Sequence, residues 1–183
     1  LKRLLSICFI LISILFSSDD MTIIGGHKLP PEPDPKLNNA TLLGIDVNNN
    51  GVRDDVERWI YQTYDHPIER GIFMQSARAY QKVIVDPSKA KDTMKHIDNS
   101  SDCEGYWRYW KILPKFKDKN ESYVLDRYRD LEKEISVIQF NTLQRHMAYR
   151  RFNSALSGGV YGATGISKEK CEFDENGILK DLP

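Results

Sequence analysis

"GIDVNNNGVRDDVERWIYQTY", residues 44–64, holds the change of pattern on which the fold class of this 183-residue chain turns. Its first half strings three asparagines and a glycine between aspartates, which is strong turn chemistry. Its second half places Val56, Trp59, Ile60 and Tyr64 three and four residues apart, the apolar stripe of an amphipathic helix.

The same spacing recurs downstream. His66–Pro67 interrupts it, and Pro67 suits the first turn of a new helix carrying Ile68, Ile72, Phe73, Ala77, Tyr80 and Val83. Asp86–Pro87 restarts a more polar helix with Ala90, Met94 and Ile97. Cys103, Tyr106, Trp107 and Trp110 then share a face until Pro114. Residues 121–156 form the longest helical stretch, with Val124, Tyr128, Leu131, Ile135 and Ile138 repeating nearly as a heptad. The stripe then rotates to Leu143, Met147 and Ala155, which predicts a bend or a second helix near Asn141. "LSGGVYGATG" closes the helical part, and Asn176–Gly177 signals a hairpin. The expectation is an all-α protein, a helical bundle of about five to six helices. It carries an extended Pro-rich N-terminal segment and a short C-terminal hairpin-like tail.

The polar half of the opening stretch has a spacing of its own. Counting from Asp46 as position 1, Asn48 is at 3, Asn50 at 5, Gly51 at 6, Val52 at 7, Asp54 at 9 and Glu57 at 12. Calcium takes six to eight hard oxygens, which a tight turn delivers from alternating positions. Gly51 permits the left-handed backbone that turns the Val52 carbonyl inward. Glu57, inside the outgoing helix, reaches back with two carboxylate oxygens. A metal-free account also exists: Asp54 caps the helix and Glu57, three residues on, completes a capping box. That account gives Asp46 and Asn48 no task.

The segment resembles the calcium loops of EF-hands, dockerins and thrombospondin type 3 repeats, over about 15 residues that fill D-x-[DN]-x-[DN]-G-x5-E. It is also similar to uncharacterised exported bacterial proteins sharing the phrase "LLGID-NNNGVRDD-E". The resemblance implies Ca2+ ligands at Asp46, Asn48, Asn50, Val52 (backbone oxygen), Asp54 (direct or through water) and Glu57. Two departures stand out. Arg53 occupies position 8, where paired EF-hand loops place an aliphatic residue, and "NNATLLGI" is a poor incoming helix. A single structural loop with an affinity of roughly 10⁻⁴–10⁻³ M is the expectation.

Upstream, "LKRLLSICFILISILFSS" pairs Lys2 and Arg3 with an uncharged run from Leu4 to Phe16, too short to span a bilayer, which takes about 20 residues. It reads as a signal peptide over 1–18, with a membrane anchor as the alternative if it is not cleaved. Ile7 before Cys8 argues against lipidation. Residues 19–43, with four prolines between Pro30 and Pro35, read as a Pro-rich extended linker that tethers the domain or wraps along it. Residues 44–183 form the calcium-loop helical domain. After the leader only Cys103 and Cys171 remain, an even pair in a chain bound for an oxidising space, so a disulfide is expected.

Charge excludes some partners. Lys and Arg total 26 against 26 Asp and Glu, so nothing draws the chain to nucleic acid. His27, His66, His96 and His146 lack zinc spacing, "GGVYGATG" lacks a phosphate-loop ending, and G-x-S-x-G does not occur. Tyr106, Trp107, Tyr109 and Trp110 read as core rather than a sugar platform. Arg145, His146, Arg150 and Arg151 read as solvated helix surface. No catalytic residue is assigned. The expected function is that of an exported calcium-binding helical protein, a binding or structural component of the periplasm or cell surface. Its partner would be a protein or a cell-envelope component. The alternative is an exported hydrolase of cell-wall or polysaccharide material with a structural calcium.

Overall fold

The computed structural model describes residues 21–108, 133–162 and 165–181. The 1–18 leader, Tyr109 and Trp110, and Val124, Tyr128 and Leu131 of the long stripe lie outside the described residues. What is described is all-α apart from one two-stranded hairpin, as the periodicity predicts.

Strands β1 (Thr22–Ile24) and β2 (His27–Leu29) pair antiparallel around Gly25–Gly26. The prolines follow, and Asp34 caps a single turn, α1 (Pro35–Asn38), by accepting from Leu37 N–H at 2.9 Å. This segment wraps along the helices: Leu29 is buried in the core, and Arg58 donates to Pro30 O and Glu32 Oε2, both at 2.7 Å.

Helix α2 (Asp54–Thr63) buries Val56, Ile60 and Tyr61 and ends before Tyr64, whose ring stacks on Phe73 at 4.3 Å between centroids. His66 then turns the chain. Its Nδ1 accepts from Ile68 N–H at 3.2 Å and caps α3 (Pro67–Val85), in which Pro67 leaves no orphan amide. Asp86 caps the 3-10 turn Pro87–Lys89 in the same way, and α4 (Ala90–Tyr106) runs on from it. Helix α5 spans 133–139 among the described residues, and α6 (Leu143–Ala155) follows a break at 140–142. The break falls where the stripe rotates.

One apolar cluster joins Leu29, Val52, Val56, Ile60, Phe73 and Ile135. A second joins Ile68, Ile72, Phe173 and the Cys103–Cys171 disulfide, whose Cα atoms are 5.0 Å apart. A third joins Val83, Ile84, Ala148 and Phe152. The C-terminal tail forms the expected hairpin: Phe173 bridges Leu179, and Gly177 N–H donates to Asp174 O at 3.0 Å. Among the described residues no helix is long and apolar enough to cross a membrane.

Two expectations are corrected. The rotated stripe on α6 faces outward, with Leu143 78% and Met147 40% exposed, while Arg145, Ala148 and Phe152 form the buried face. Arg145 is therefore no surface residue, unlike the exposed His146, Arg150 and Arg151. Its guanidinium donates to the carbonyls of Asn38 (2.6 Å), Thr41 (3.3 Å) and Leu42 (3.0 Å) and to the side-chain oxygens of Asn39 (2.9 Å) and Asn141 (2.6 Å). An arginine has five donors in a planar fork, and here that fork gives partners to the carbonyls of an irregular segment, the buried Asn38 carbonyl among them. Burial, and then the neighbouring Arg53, push its pKa down to about 10.

Candidate metal centre

The loop from Asp46 to Glu57 is closed at its base by main-chain contacts. Asp54 N–H donates to Ile45 O at 2.8 Å, and Ile45 N–H donates to Asn38 Oδ1 at 2.9 Å. Within the ring, Asp46 accepts from Asn50 N–H at 3.2 Å and Gly51 N–H at 2.9 Å. The chain curls around this carboxylate because Asn49 and Gly51 both adopt left-handed backbone, at φ 55° and 82°. Val47 N–H donates to the Asp54 carboxylate at 3.1 Å.

Glu57 reaches back from α2, as the spacing predicts. Its Oε2 accepts from the Asn48 side-chain nitrogen and its Oε1 from that of Asn50, each at 3.0 Å. Val52 is fully buried in the core beneath the loop, and its N–H donates to Asn50 Oδ1 at 2.8 Å. All six residues singled out by the spacing therefore belong to one closed ring.

Helix capping does not account for the acidic residues. The N-cap is Arg53, with no side-chain capping bond, so Asp54 and Glu57 stand inside the helix. Their carboxylates turn into the loop and not onto the first-turn amides. Arg53 instead leaves the loop: its fully buried guanidinium donates to Ile138 O (2.7 Å) and Gln139 O (3.1 Å) at the end of α5 and pairs with Asp55. The residue at position 8 thus ties the loop to the bundle, a task that needs no second loop.

Burial makes the ring electrostatically expensive. Asp54 is fully buried and Glu57 is 4% exposed. Desolvation lifts the Asp54 pKa to about 7 against the pull of the Val47 hydrogen bond, and the Asp46 and Asp55 charges lift it further. Desolvation also lifts Glu57 to about 7, reinforced by Asp54 and Asp46 and opposed by the Asn48 and Asn50 amides. Asp46 is shifted up as well, by burial. Among the described residues, these three carboxylates are hydrogen-bonded by neutral amides alone and enter no ion pair.

The donor set fits calcium in kind: three carboxylates, two side-chain amides and backbone carbonyls, all oxygen ligands. Among the described residues, no three Asp, Glu, His or Cys side chains converge as a metal cluster. The amide nitrogens of Asn48 and Asn50 stand against Glu57 instead. Cation loading therefore requires these amides to present oxygen where they now present nitrogen.

Arg78 of α3 is a residue that the sequence did not flag. Its Nε donates to Asn50 O at 2.8 Å, and its Cγ lies 3.2 Å from where a Cβ on Gly51 would stand. Arg78 follows the buried Met74 by one helical turn and so shares the inward face of α3. The cavity between α3 and α4 is lined by Ser76, Tyr80, Ser100 and Glu104 among others, and that glutamate is paired with Arg108. No family model matches the chain, and no curated protein or solved structure is significantly similar to it.

Proposed function

We propose that the chain is an exported helical protein stabilised by one structural calcium ion and acting as a binding or structural component of the periplasm or cell surface. One observation carries the calcium reading. Three carboxylates, those of Asp54 and Glu57 buried and that of Asp46 half-buried, share a closed loop whose hydrogen-bond donors are all neutral amides. Among the described residues no cation stands within ion-pair distance, and Arg58 and Arg78 act on Asp54 and Asp46 only from farther off. Burying carboxylate charge without a paired cation is costly, which is why Asp54 and Glu57 hold their protons up to about pH 7, and a divalent cation is a natural counterion for the ionised set. In that role Asp46, Asn48, Asn50, Asp54 and Glu57 with the Val52 carbonyl would hold the ion. The ion supplies positive charge that fixes the loop against α2.

Export is supported by the leader composition and by the Cys103–Cys171 bridge, which suits an oxidising compartment. A binding role is supported by the outward Leu143 and Met147, one turn apart on α6. The partner would be a protein or cell-envelope component.

Calcium calorimetry on the wild type beside Asp46→Ala and Glu57→Gln tests the metal. Binding in the wild type and its loss in both variants is the expected result; a wild type that takes up no calcium at millimolar concentration refutes the reading. Mass spectrometry of the mature N-terminus tests export, with cleavage near residue 18 expected.

A further inference from the structure

Arg78 does more than support the loop. The same guanidinium that holds Asn50 O donates through Nη1 to Lys180 O at 3.0 Å and faces Glu172 Oε2 at 3.5 Å. Lys180 and Glu172 belong to the two arms of the C-terminal hairpin, joined by Lys180 N–H donating to Glu172 O at 2.8 Å. Glu172 adjoins Cys171, whose disulfide to Cys103 pins that arm to α4. Gln75, one turn before Arg78, makes the same connection from the other side. It donates to Lys170 O at 2.9 Å and accepts from Glu172 N–H at 3.0 Å. Loop, arginine, hairpin and disulfide thus form one contiguous chain of contacts, from residues far apart in sequence.

We infer that Arg78 is a positioning residue linking the cation loop to the disulfide-anchored hairpin, so that the Cys103–Cys171 redox state sets how well the loop binds calcium. The calcium part of this inference rests on the function proposed above; the mechanical linkage does not. When a dithiol reductant opens the bridge, it gives up two electrons and closes to its own disulfide. The Cys103 and Cys171 sulfurs each take one electron and one proton. The arm at Glu172 then has no covalent tie to α4 and is held by hydrogen bonds such as Lys170 Nζ to Asn99 Oδ1 at 3.0 Å and those of Gln75. The partners of Arg78 are thus less firmly fixed, and so is the donor that aims the Asn50 carbonyl. Linkage is reciprocal, so calcium in the loop protects the bridge from reduction by the same factor.

Amide hydrogen exchange in chelator tests the linkage without any metal. Three samples are compared: oxidised wild type, dithiol-reduced wild type, and oxidised Arg78→Met, which keeps an apolar stem against Gly51. Faster exchange at Val47, Asn50 and Gly51 is expected in the latter two, with α3 core amides unchanged. If reduction instead speeds exchange throughout the chain, the oxidised Arg78→Met sample decides, because its bridge is intact. Loop amides unchanged in that variant overturn the inference.

Calcium calorimetry on the same samples should show an affinity about fivefold or more weaker after reduction and in Arg78→Met, within the usual range of coupling. Equal affinity in all three samples also overturns the inference. A wild type that binds no calcium refutes the metal reading alone and leaves the exchange data to judge the linkage.

Discussion

Asn50 and Glu57 meet across the loop, the amide nitrogen of one donating to Oε1 of the other at 3.0 Å. This contact holds Glu57 in the ring by a neutral donor, and it is the contact a cation would replace. Asn50→Asp puts a fourth carboxylate at that point. The variant should lose stability in chelator, because like charges then face each other in a partly buried ring. It should also bind calcium roughly tenfold more tightly, since ligand charge count tunes such loops. Paired thermal melts and calorimetry check both halves, and a variant destabilised without any gain in affinity argues against a cation centre.

Calcium should raise the melting temperature. At a free concentration 100 times the dissociation constant, one site contributes about 2.7 kcal/mol. For a domain of this size that corresponds to a rise of roughly 5–10 °C. Glu57→Gln should abolish the rise. A melting temperature that is the same in chelator and in calcium at that saturating concentration contradicts the structural role.

The apo protein should be more stable in mild acid than at neutral pH, the reverse of the usual carboxylate behaviour. Asp54 and Glu57 have folded pKa values raised to about 7, so between the ordinary carboxylate range and pH 7 the folded state binds more protons than the unfolded one. Their contribution is fully present below about pH 4 and is lost as pH rises through 7. Calcium, which competes with those protons, should flatten the profile. Urea titrations across pH 4–8, with and without calcium, measure this. A chelated protein whose stability rises steadily toward pH 8 would count against the buried-carboxylate account.

Arg145 should be among the most costly residues to replace. Arg145→Met removes the donors to five oxygens from Asn38 to Asn141 and leaves the buried Asn38 carbonyl and the part-buried Leu42 carbonyl without this partner. A loss of about 3–5 kcal/mol in denaturant unfolding is expected, against less than about 0.5 kcal/mol for the exposed Arg150→Met. Gly44→Ala should reproduce much of that loss. A Cβ there would stand 2.3 Å from Arg53 Cδ and 2.7 Å from Arg145 Nη2, at a backbone φ of 74°.

These arginines mark the limit of what the sequence revealed. Apolar spacing located α2, α3 and the change near Asn141, because burial of a stripe is a local property of the chain. The loop was legible for the same reason: Asp46 to Glu57 is a contiguous turn whose alternation survives in one dimension. Arg53, Arg78 and Arg145 were not legible, since each is buried by partners far away in sequence, at Ile138, Lys180 and Asn38. A charged residue on an apolar face reads as a surface until those partners are placed. The outward Leu143 and Met147 show the converse, an apolar stripe whose rotation was right and whose direction was not.

Gly177 provides a test of how tightly the C-terminal hairpin docks on α3. Its φ is 75°, and a Cβ would stand 1.9 Å from Pro67 O, a main-chain atom that cannot swing aside. Gly158 has a similar φ of 82° with nothing near its would-be Cβ. Gly158→Ala should therefore cost only the left-handed backbone penalty, about 1–2 kcal/mol. Gly177→Ala carries that penalty plus the clash, so an additional loss of roughly 1–3 kcal/mol is expected, of the kind seen for overpacked sites. Because the hairpin holds Glu172 and Lys180 against Arg78, Gly177→Ala should also speed amide exchange at Gly51, whereas Gly158→Ala should not. Equal unfolding energies for the two variants would mean that the hairpin stands off α3 in solution.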